Sequence, residues 1–259
     1  MVPIIILCGQ AGVGKDTLST YLSYNHGATC LALADPLKRI CQYVFDFTDE
    51  QLWGPSELRG KIDERYKTVG TLKRCTEKVR FTPLNKFCGI KLNEIPDGSF
   101  GDWYLKCQGK AYSTGLTPRY CLQTLGTEWG RAIDPNLWIK IALDTATKLL
   151  EDPTLFYIPS KGIQKKNPDV REWKTEGIVI TDGRFRNEIL EIKKIGGIAV
   201  GIRRNGLLST PKTHQSETEL EAIPLHWFDY LLWNNGTIRE LNVKADILVS
   251  KVWNRSETL

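Results

Sequence analysis

The 259-residue sequence lacks the cysteine and histidine spacings from which disulfide frameworks and zinc sites are built. It has seven cysteines, which is an odd number, and no two of them are spaced as Cys-X-X-Cys. It has three histidines, and none stands at the spacing of a zinc finger. This pattern favours free thiols in a reducing, cytoplasmic setting. The residues concerned are Cys8, Cys30, Cys41, Cys75, Cys88, Cys107, Cys121, His26, His214 and His226.

The sequence also lacks the signals of a membrane protein and of a nucleic-acid-binding protein. No apolar run approaches the ~20 residues that a transmembrane helix requires. The apolar residues 1–7 have no basic leader, so we expect a strand there rather than a signal peptide. The net charge is +5, without the clustered basic residues of a dedicated nucleic-acid-binding protein. We therefore expect a soluble, mildly basic protein with an anionic ligand and with neither membrane nor nucleic acid as a partner.

Five short apolar segments alternate with helical patterns along the chain. Continuous apolar runs are typical of strands that are buried on both faces of a parallel sheet. The predicted fold is therefore α/β, with a five-stranded, parallel, doubly wound sheet. The predicted strands are residues 2–8, 28–34, 177–182, 198–202 and 228–233.

A long segment without regular periodicity separates the second predicted strand from the later part of the sheet. Residues 36–119 are too many for an ordinary connection, and the stretch 89–115 is rich in glycine. We predict that residues 36–119 form an inserted lobe, and that residues 1–35 and 120–259 form the core. Residues 159–174 are predicted to be a polar, basic loop.

The residues that follow the first predicted strand match the pattern GXXXXGK. The glycines of such a loop let backbone N–H groups surround phosphate oxygens, and the following helix adds partial positive charge. The lysine, here Lys15, reaches the β- and γ-phosphates. The predicted nucleotide-binding residues are Gly9, Gly12, Val13, Gly14, Lys15, Asp16 and Thr17.

Asp16 departs from the general pattern, which has Ser or Thr after the lysine to hold Mg²⁺. A carboxylate at this place would repel a triphosphate unless a cation lay between them. One hypothesis is therefore that Asp16 acts through Mg²⁺, with Thr17 supplying the hydroxyl group. The alternative is that Asp16 only stabilises the start of the helix, where an acidic residue is favourable.

Four further segments follow the loop in order along the chain. They are LADPLKR (33–39), LQTLGTEWGR (122–131), ITDGRFRNE (180–188) and HQSE (214–217). Together with Gly-Lys-Asp-Thr these segments resemble the bacteriophage deoxynucleoside monophosphate kinases, which have the P-loop nucleoside monophosphate kinase fold and share Asp16. The resemblance extends from residue 4 to about residue 235 and leaves residues 45–118 unmatched. It implies phosphorylation of deoxynucleoside monophosphates by ATP and Mg²⁺, in the host cytoplasm if the source is a phage.

The resemblance implies catalytic roles for four residues. Arg131 and Arg184 are the candidates for a bidentate clamp on the acceptor phosphate, and Lys15 is the candidate for the transferred group. Asp182 ends a predicted strand at the sheet edge where ligands bind, so it would order the Mg²⁺ shell or hold an arginine. The alternative for Asp182 is a structural carboxylate on a loop.

Three more residues are candidates for acceptor binding, each with a structural alternative. Asp35 follows the second strand and would lie on the substrate side, or it would cap the helix at Pro36. Trp138 would stack on a base, but burial in a core is the more common use of a tryptophan. Glu188 would contact the sugar or base, would orient Arg184, or would serve only the start of a helix.

Arg203 and Arg204 follow the fourth predicted strand. In the family this connection is the lid, here about residues 203–216, which closes over ATP and limits its hydrolysis. A solvated basic loop is the alternative for this arginine pair. Ser216 and Glu219 have capping-box spacing, so helix initiation would also account for the segment around His214.

The sequence therefore predicts a deoxynucleoside monophosphate kinase with ATP and Mg²⁺ as its cofactors. A second reading is another small-molecule kinase of the same fold, similar to phosphomevalonate kinases. A third is a nucleotide-binding protein without catalysis, which would leave Arg131 and Arg184 unexplained. The inserted lobe would shape substrate choice, shield the site or mediate contacts of a homodimer.

Overall fold

The computed structural model describes residues 3–88, 96, 98–166, 175–206 and 219–252. The chain divides into two compact units. The first consists of Met1–Leu33, Ala142–Ile158 and Ile163–Leu259, and the second of Ala34–Ile141 and Pro159–Gly162. The segment 214–217, most of the predicted lid and residues 167–174 of the predicted basic loop lie outside the described residues.

The described residues form seven strands and twelve α-helices. The strands are β1 (Ile4–Cys8), β2 (Ala28–Leu31), β3 (Leu155–Ile158), β4 (Gly162–Lys165), β5 (Gly177–Gly183), β6 (Ile198–Arg203) and β7 (Tyr230–Trp233). The helices are α1 (Lys15–His26), α2 (Asp35–Phe45), α3 (Asp49–Trp53), α4 (Ser56–Arg59), α5 (Val69–Arg80), α6 (Leu84–Cys88), α7 (Ser99–Ser113), α8 (Pro118–Gln123), α9 (Arg131–Ile133), α10 (Leu137–Glu151), α11 (Arg186–Lys194) and α12 (Ile238–Val252).

The first unit contains a five-stranded sheet in the order β2-β5-β1-β6-β7, and every neighbouring pair is parallel. This confirms the predicted fold class and all five predicted strands, with ends that differ by up to three residues. β1 is central, and its residues Ile5 and Leu7 pack with Leu18 of α1 and Leu241 of α12. Helix α11 contacts β1 and β6. Burial of each such aliphatic side chain contributes about 1.5–3 kcal/mol.

The second unit is helical, and here the prediction of an irregular, glycine-rich stretch at 89–115 is wrong for the described part. Residues Ser99–Ser113 form α7, and Gly101 and Gly109 lie inside it. Each glycine costs a helix up to about 1 kcal/mol relative to alanine. Burial of one face of α7 offsets that cost, through Phe100, Trp103, Tyr104, Cys107 and Ala111.

Residues Thr124–Gly130 continue α8 as a π-helix of seven residues, which the sequence pattern did not indicate. The π-helix is rare, and short π-helical segments often occur at functional sites. Trp138 packs on Gly130, where even a Cβ atom would collide with the indole ring. The indole N–H of Trp138 donates to the carbonyl oxygen of Gly126 at 2.9 Å. These contacts hold the π-helix. Residues 120–141, which the sequence pattern placed in the core, belong to the second unit.

The prediction of a continuous basic loop at 159–174 is wrong for residues 162–165. They form β4, which pairs with β3 in a separate two-stranded sheet. Gly162 has φ of +77°, in the left-handed region that favours glycine, so the chain can turn there between the two strands. Ile163 is the one large apolar residue of β4, so this strand does not show the apolar alternation that marks a strand in the sequence.

No described helix has both the length and the apolar character needed to span a bilayer. The six cysteines whose side chains are described are free thiols, which are Cys8, Cys30, Cys41, Cys75, Cys107 and Cys121. No group of three or more His, Cys, Asp or Glu residues that could hold a metal ion occurs in the described ranges.

Candidate nucleotide-binding site

The loop of residues 9–14 connects β1 to α1 at the carboxyl edge of the sheet. Gly12 and Gly14 have φ of +78° and +98°, a region that residues with a side chain rarely adopt. A Cβ atom at Gly9 would lie 2.7 Å from the carbonyl oxygen of Ile202 in β6. The backbone therefore requires glycine at these places, as a loop that wraps around phosphate also does.

Lys15 folds back onto the same loop. Its Nζ donates to the carbonyl oxygens of Gly9 (2.7 Å) and Gln10 (2.8 Å). Burial lowers the pKa of Lys15, and the positive charge of Arg184 lowers it further, whereas Asp16 and Asp182 raise it. Two separate segments of the sequence therefore meet here. Asp182 and Arg184 of the second segment lie close enough to Lys15 to affect its pKa, as does the neighbouring Asp16. The structure brings this part of the predicted site together.

Asp182 and Arg184 owe this proximity to the register of the sheet. Gly183 pairs with Cys8, the last residue of β1 before the loop. Oδ1 of Asp182 accepts a hydrogen bond from the backbone N–H of Leu33 at 2.7 Å, which ties the end of β5 to the chain that leaves β2. Arg184 is exposed. A structural role of Asp182 is therefore observed, and a role toward a metal stays a proposal.

Asp16 and Thr17 lie in the first turn of α1. Asp16 is exposed and Thr17 is half-buried. Gly14 precedes the helix without a side-chain cap, so the first N–H groups of α1 have no capping side chain. An acidic residue is stabilising at such a helix start. The placement of Asp16 therefore fits both of its predicted roles.

Glu188 is buried, with 4% of its surface exposed, at the start of α11. Its Oε2 accepts hydrogen bonds from the backbone N–H groups of Arg184 (2.8 Å) and Phe185 (3.0 Å). Glu188 therefore holds the backbone of Arg184 in place, which fits the hypothesis that it orients Arg184.

We predict that Glu188→Ala lowers the free energy of unfolding by about 1–2 kcal/mol, because two N–H groups lose their acceptor. Glu188→Gln keeps a carbonyl oxygen at the same place, so its melting temperature should stay close to that of the wild type. Thermal unfolding and turnover are measured on both variants. If Glu188→Gln keeps its stability and loses turnover, the carboxylate has a direct contact with substrate beyond the helix start.

Arg203 ends β6 next to the loop, and Arg204 follows it on the surface. The Arg203 guanidinium lies 5.3 Å from the ring centre of Phe228, and its burial lowers its pKa. A cavity of about 440 Å³ lies beside it, lined by Gln10, Arg203 and five residues between 220 and 225. Nε2 of Gln10 donates to Oε1 of Glu221 at 2.5 Å across this cavity. A partly buried arginine beside the loop is suited to an anionic ligand.

Asn234, which follows β7, is not among the residues predicted from the sequence. Its Nδ2 donates to the carbonyl oxygen of Val13 at 2.8 Å, and its backbone N–H donates to the backbone carbonyl oxygen of Arg203 at 2.7 Å. The signal that would have found it is a polar Asn-Asn-Gly turn directly after an apolar strand, at the edge where ligands bind.

Arg131, Trp138 and Asp35, the remaining acceptor candidates, belong to the second unit. Arg131 is half-buried and follows the π-helix directly. Trp138 is buried among aromatic side chains, 6.4 Å from Trp129 between ring centres, so its placement favours the core reading over base stacking.

Asp35 is 2% exposed in the first turn of α2, where the N-cap residue is Ala34. Its Oδ1 accepts a hydrogen bond from the indole N–H of Trp53 at 2.9 Å and lies 3.6 Å from Nζ of Lys38. That ammonium group is 5.4 Å from the centre of the Trp53 ring. Asp35 thus fixes a cation and an aromatic ring, and its side chain is not at the surface of the unit.

The sheet order, with a phosphate-binding loop between the central strand and its helix, defines a P-loop kinase-like fold. No family model matches the sequence. A protein of Acanthamoeba polyphaga mimivirus with the name "Putative deoxynucleotide monophosphate kinase" is 30% identical over 237 residues. The match covers 92% of this chain and 91% of that protein. The chain therefore belongs to the deoxynucleotide monophosphate kinase family. This confirms the resemblance at the level of the kinase family, and an origin in a bacteriophage stays a prediction.

Proposed function

We propose that the protein transfers the γ-phosphoryl group of ATP to the phosphate of a deoxynucleoside monophosphate. The observation that supports this most is the loop at Lys15 with Asp182 and Arg184 at the end of the neighbouring strand, in a chain of this family. An oxygen of the acceptor phosphate attacks the γ-phosphorus, and the bond to the β,γ-bridging oxygen breaks. The products are a deoxynucleoside diphosphate and ADP.

The electrostatics of the loop support a polyanionic ligand. Lys15 and Arg184 carry like charges close enough for Arg184 to lower the pKa of Lys15. A phosphate group between two such cations would replace their repulsion with two attractions. Because the reaction joins two polyanions, catalysis requires positioning and charge neutralisation more than a strong base.

Each cation has a proposed place in this reaction. Lys15 binds the transferred phosphoryl group, and Arg131 and Arg184 clamp the acceptor phosphate. Arg203 and Arg204 neutralise the ATP phosphates from the end of β6. Asp35 acts on the acceptor side through Lys38 and Trp53, which it holds.

The residues at the loop fit a Mg²⁺ ion that arrives with ATP. Mg²⁺ at nucleotide sites keeps several waters and takes one or two carboxylates in addition to phosphate oxygens. We assign the oxygen donors to Asp16, the Thr17 hydroxyl and Asp182, and both carboxylates are close enough to Lys15 to affect its pKa. The ion would neutralise the charge of the phosphates, and Asp16 would then face a cation rather than the triphosphate.

We predict that Asp16→Asn lowers Mg²⁺-dependent turnover about tenfold or more, because the amide loses the charge that attracts the ion. The melting temperature of the same variant measures the helix-start contribution, which is at most about 1 kcal/mol at an exposed site. Asp16→Ser restores the hydroxyl of the general pattern and should keep more activity. Full Mg²⁺-dependent turnover of Asp16→Asn would contradict the metal role and leave the helix start as its function.

An assay of ADP release tests the proposed function. The purified protein is incubated with ATP and Mg²⁺ and with each of the common deoxy- and ribonucleoside monophosphates in turn, and the diphosphate product is separated by chromatography. We expect ADP release that depends on a deoxynucleoside monophosphate. ATP binding without any acceptor dependence would favour a non-catalytic nucleotide-binding protein. Turnover only with another phosphorylated small molecule, such as phosphomevalonate, would favour the second reading of the fold.

A further inference from the structure

Asn234 connects two elements of the candidate site from the turn after β7. It is 8% exposed, and its side-chain amide reaches the carbonyl oxygen of Val13 inside the phosphate-binding loop. Its backbone N–H donates a hydrogen bond to the backbone carbonyl oxygen of Arg203 at the end of β6. The loop, β6 and the turn after β7 are thus joined through one residue.

The bond to Val13 restricts the orientation of one peptide group of the loop. In a trans peptide the C=O and the following N–H point to opposite sides, and the described residues contain no cis peptide. Since the Val13 carbonyl is held on Asn234, the N–H of Gly14 points away from Asn234. That N–H belongs to the start of α1, where the first donors have no partner within the helix.

Gly14 allows this arrangement at close range. A Cβ atom at Gly14 would collide with Nδ2 of Asn234, so the amide occupies the space that any other residue at position 14 would fill. Gly14 also has the left-handed φ of +98°. The glycine of the loop and the asparagine after β7 therefore fit each other as a pair.

We propose that Asn234 is a positioning residue of the nucleotide site. It keeps the Val13 carbonyl away from the bound phosphates and presents the Gly14 N–H to them. Without the bond, this peptide group could rotate and turn a carbonyl oxygen toward the anion, which would repel it. The inference rests on the proposed function, since it assigns a role at the same phosphate site.

The neighbouring residue Asn235 provides a matched control. Its side chain uses the opposite end of the amide, because Oδ1 accepts the backbone N–H of Asn205 at 2.8 Å. Asn234→Asp removes the side-chain donor that the hydrogen bond to Val13 requires. Asn235→Asp retains the side-chain oxygen that accepts the N–H of Asn205. The same chemical substitution at adjacent residues thus separates the proposed role from a general effect on the turn.

The test measures binding of ATP and of inorganic tripolyphosphate to Asn234→Asp, Asn235→Asp and the wild type. At about pH 8 we expect Asn234→Asp to bind both ligands about tenfold more weakly, and Asn235→Asp to bind them as the wild type does. A protonated carboxyl group can again donate to Val13. As the pH is lowered to about 5.5, the affinity of Asn234→Asp should therefore approach that of the wild type at the same pH, since burial raises the pKa of a carboxyl group.

A second variant keeps the proposal open to refutation if Asn234→Asp does not fold. Asn234→Ala should lose affinity without recovery at low pH, and in the assay its KM for ATP should rise more than its KM for the acceptor. Wild-type affinity of Asn234→Asp at about pH 8, or equal losses in the Asp and Ala variants at every pH, would overturn the role of this hydrogen bond. Failure of the wild type to bind either ligand would refute the proposed function instead.

Discussion

Replacement of Lys15 with alanine will lower kcat/KM for ATP about 10³-fold, which corresponds to about 4 kcal/mol of transition-state stabilisation. The ammonium group is half-buried at the end of the central strand, in the same loop that three glycines shape. It already lies among carbonyl oxygens and carboxylates that hold it toward the loop. No solvent rearrangement is then needed to bring its charge to the phosphoryl group, which is why one such group has a large effect.

The matched control for Lys15→Ala is Lys194→Ala at the end of α11. Lys194 is exposed and forms an ion pair with Glu191, and exposed pairs of this kind contribute little. We expect wild-type turnover from it. Circular dichroism and thermal unfolding show whether Lys15→Ala is folded. A folded Lys15→Ala with turnover within about tenfold of the wild type would contradict the assignment of Lys15 to the transferred group.

Arg184→Ala and Arg131→Ala will each lower kcat/KM for the acceptor about 10²-fold, or about 2.7 kcal/mol. A guanidinium group that binds two oxygens of one phosphate cannot be replaced by a point charge, so Arg184→Lys should recover only part of the loss. The KM for ATP should change less than the kcat/KM for the acceptor in both variants. Steady-state kinetics with each substrate varied in turn separate these effects.

Exposed arginines on other helices of the same units provide the controls. Arg239→Ala on α12 and Arg80→Ala on α5 change a surface charge without the proposed clamp, and both should retain turnover. The double variant of Arg131 and Arg184 is informative as well. If both residues bind one phosphate, their effects will not add, since loss of the first contact already misplaces the acceptor. Wild-type turnover of either single variant would refute its place in the clamp.

The predicted part of the site consists of residues with a strong local pattern. The loop at Gly9 to Lys15 could be located because an apolar strand, three glycines and a lysine follow one another within a few positions. Asp182 and Arg184 could be located because they follow a second apolar strand, and the ends of parallel strands meet at one edge. The register of Gly183 with Cys8 confirms the adjacency of the two strands on which this reasoning depends.

The roles of Asn234 and Trp138 could not be predicted from local sequence patterns. Asn234 acts through a hydrogen bond to Val13, 221 positions away in the chain, and one polar residue after a strand does not indicate its partner. Trp138 had two readings because an indole ring is suited to a base as well as to a core. Its neighbours Gly130 and Trp129, brought to it by the π-helix, favour the core. The pattern of residues 124–130 contains no signal for that π-helix.

The helical insertion was predicted less well for a physical reason. Glycines in a sequence report a weak local preference, and they led to the expectation of an irregular stretch at 89–115. Burial of Phe100, Trp103 and Tyr104 in α7 outweighs that preference, because each buried aromatic side chain contributes more than a helical glycine costs. The short strand β4 is another case in which tertiary structure outweighs local preference, because β4 forms by pairing with β3 through a turn at Gly162.

Local sequence patterns were thus sufficient for the strands of the parallel sheet and for the glycine-rich loop, because each pattern lies within a few consecutive residues. The kinase family followed from several such patterns in a fixed order along the chain. Three other features depend on distances between separate segments. They are the effect of Arg184 on the pKa of Lys15, the hydrogen bond of Asn234 to Val13 and the hydrogen bond of Asp35 with Trp53. Hydrogen bonds require donor and acceptor within about 3 Å, and solvent and salt weaken the interaction of exposed charges beyond about 10 Å. Only packing of the folded chain brings these groups within that range.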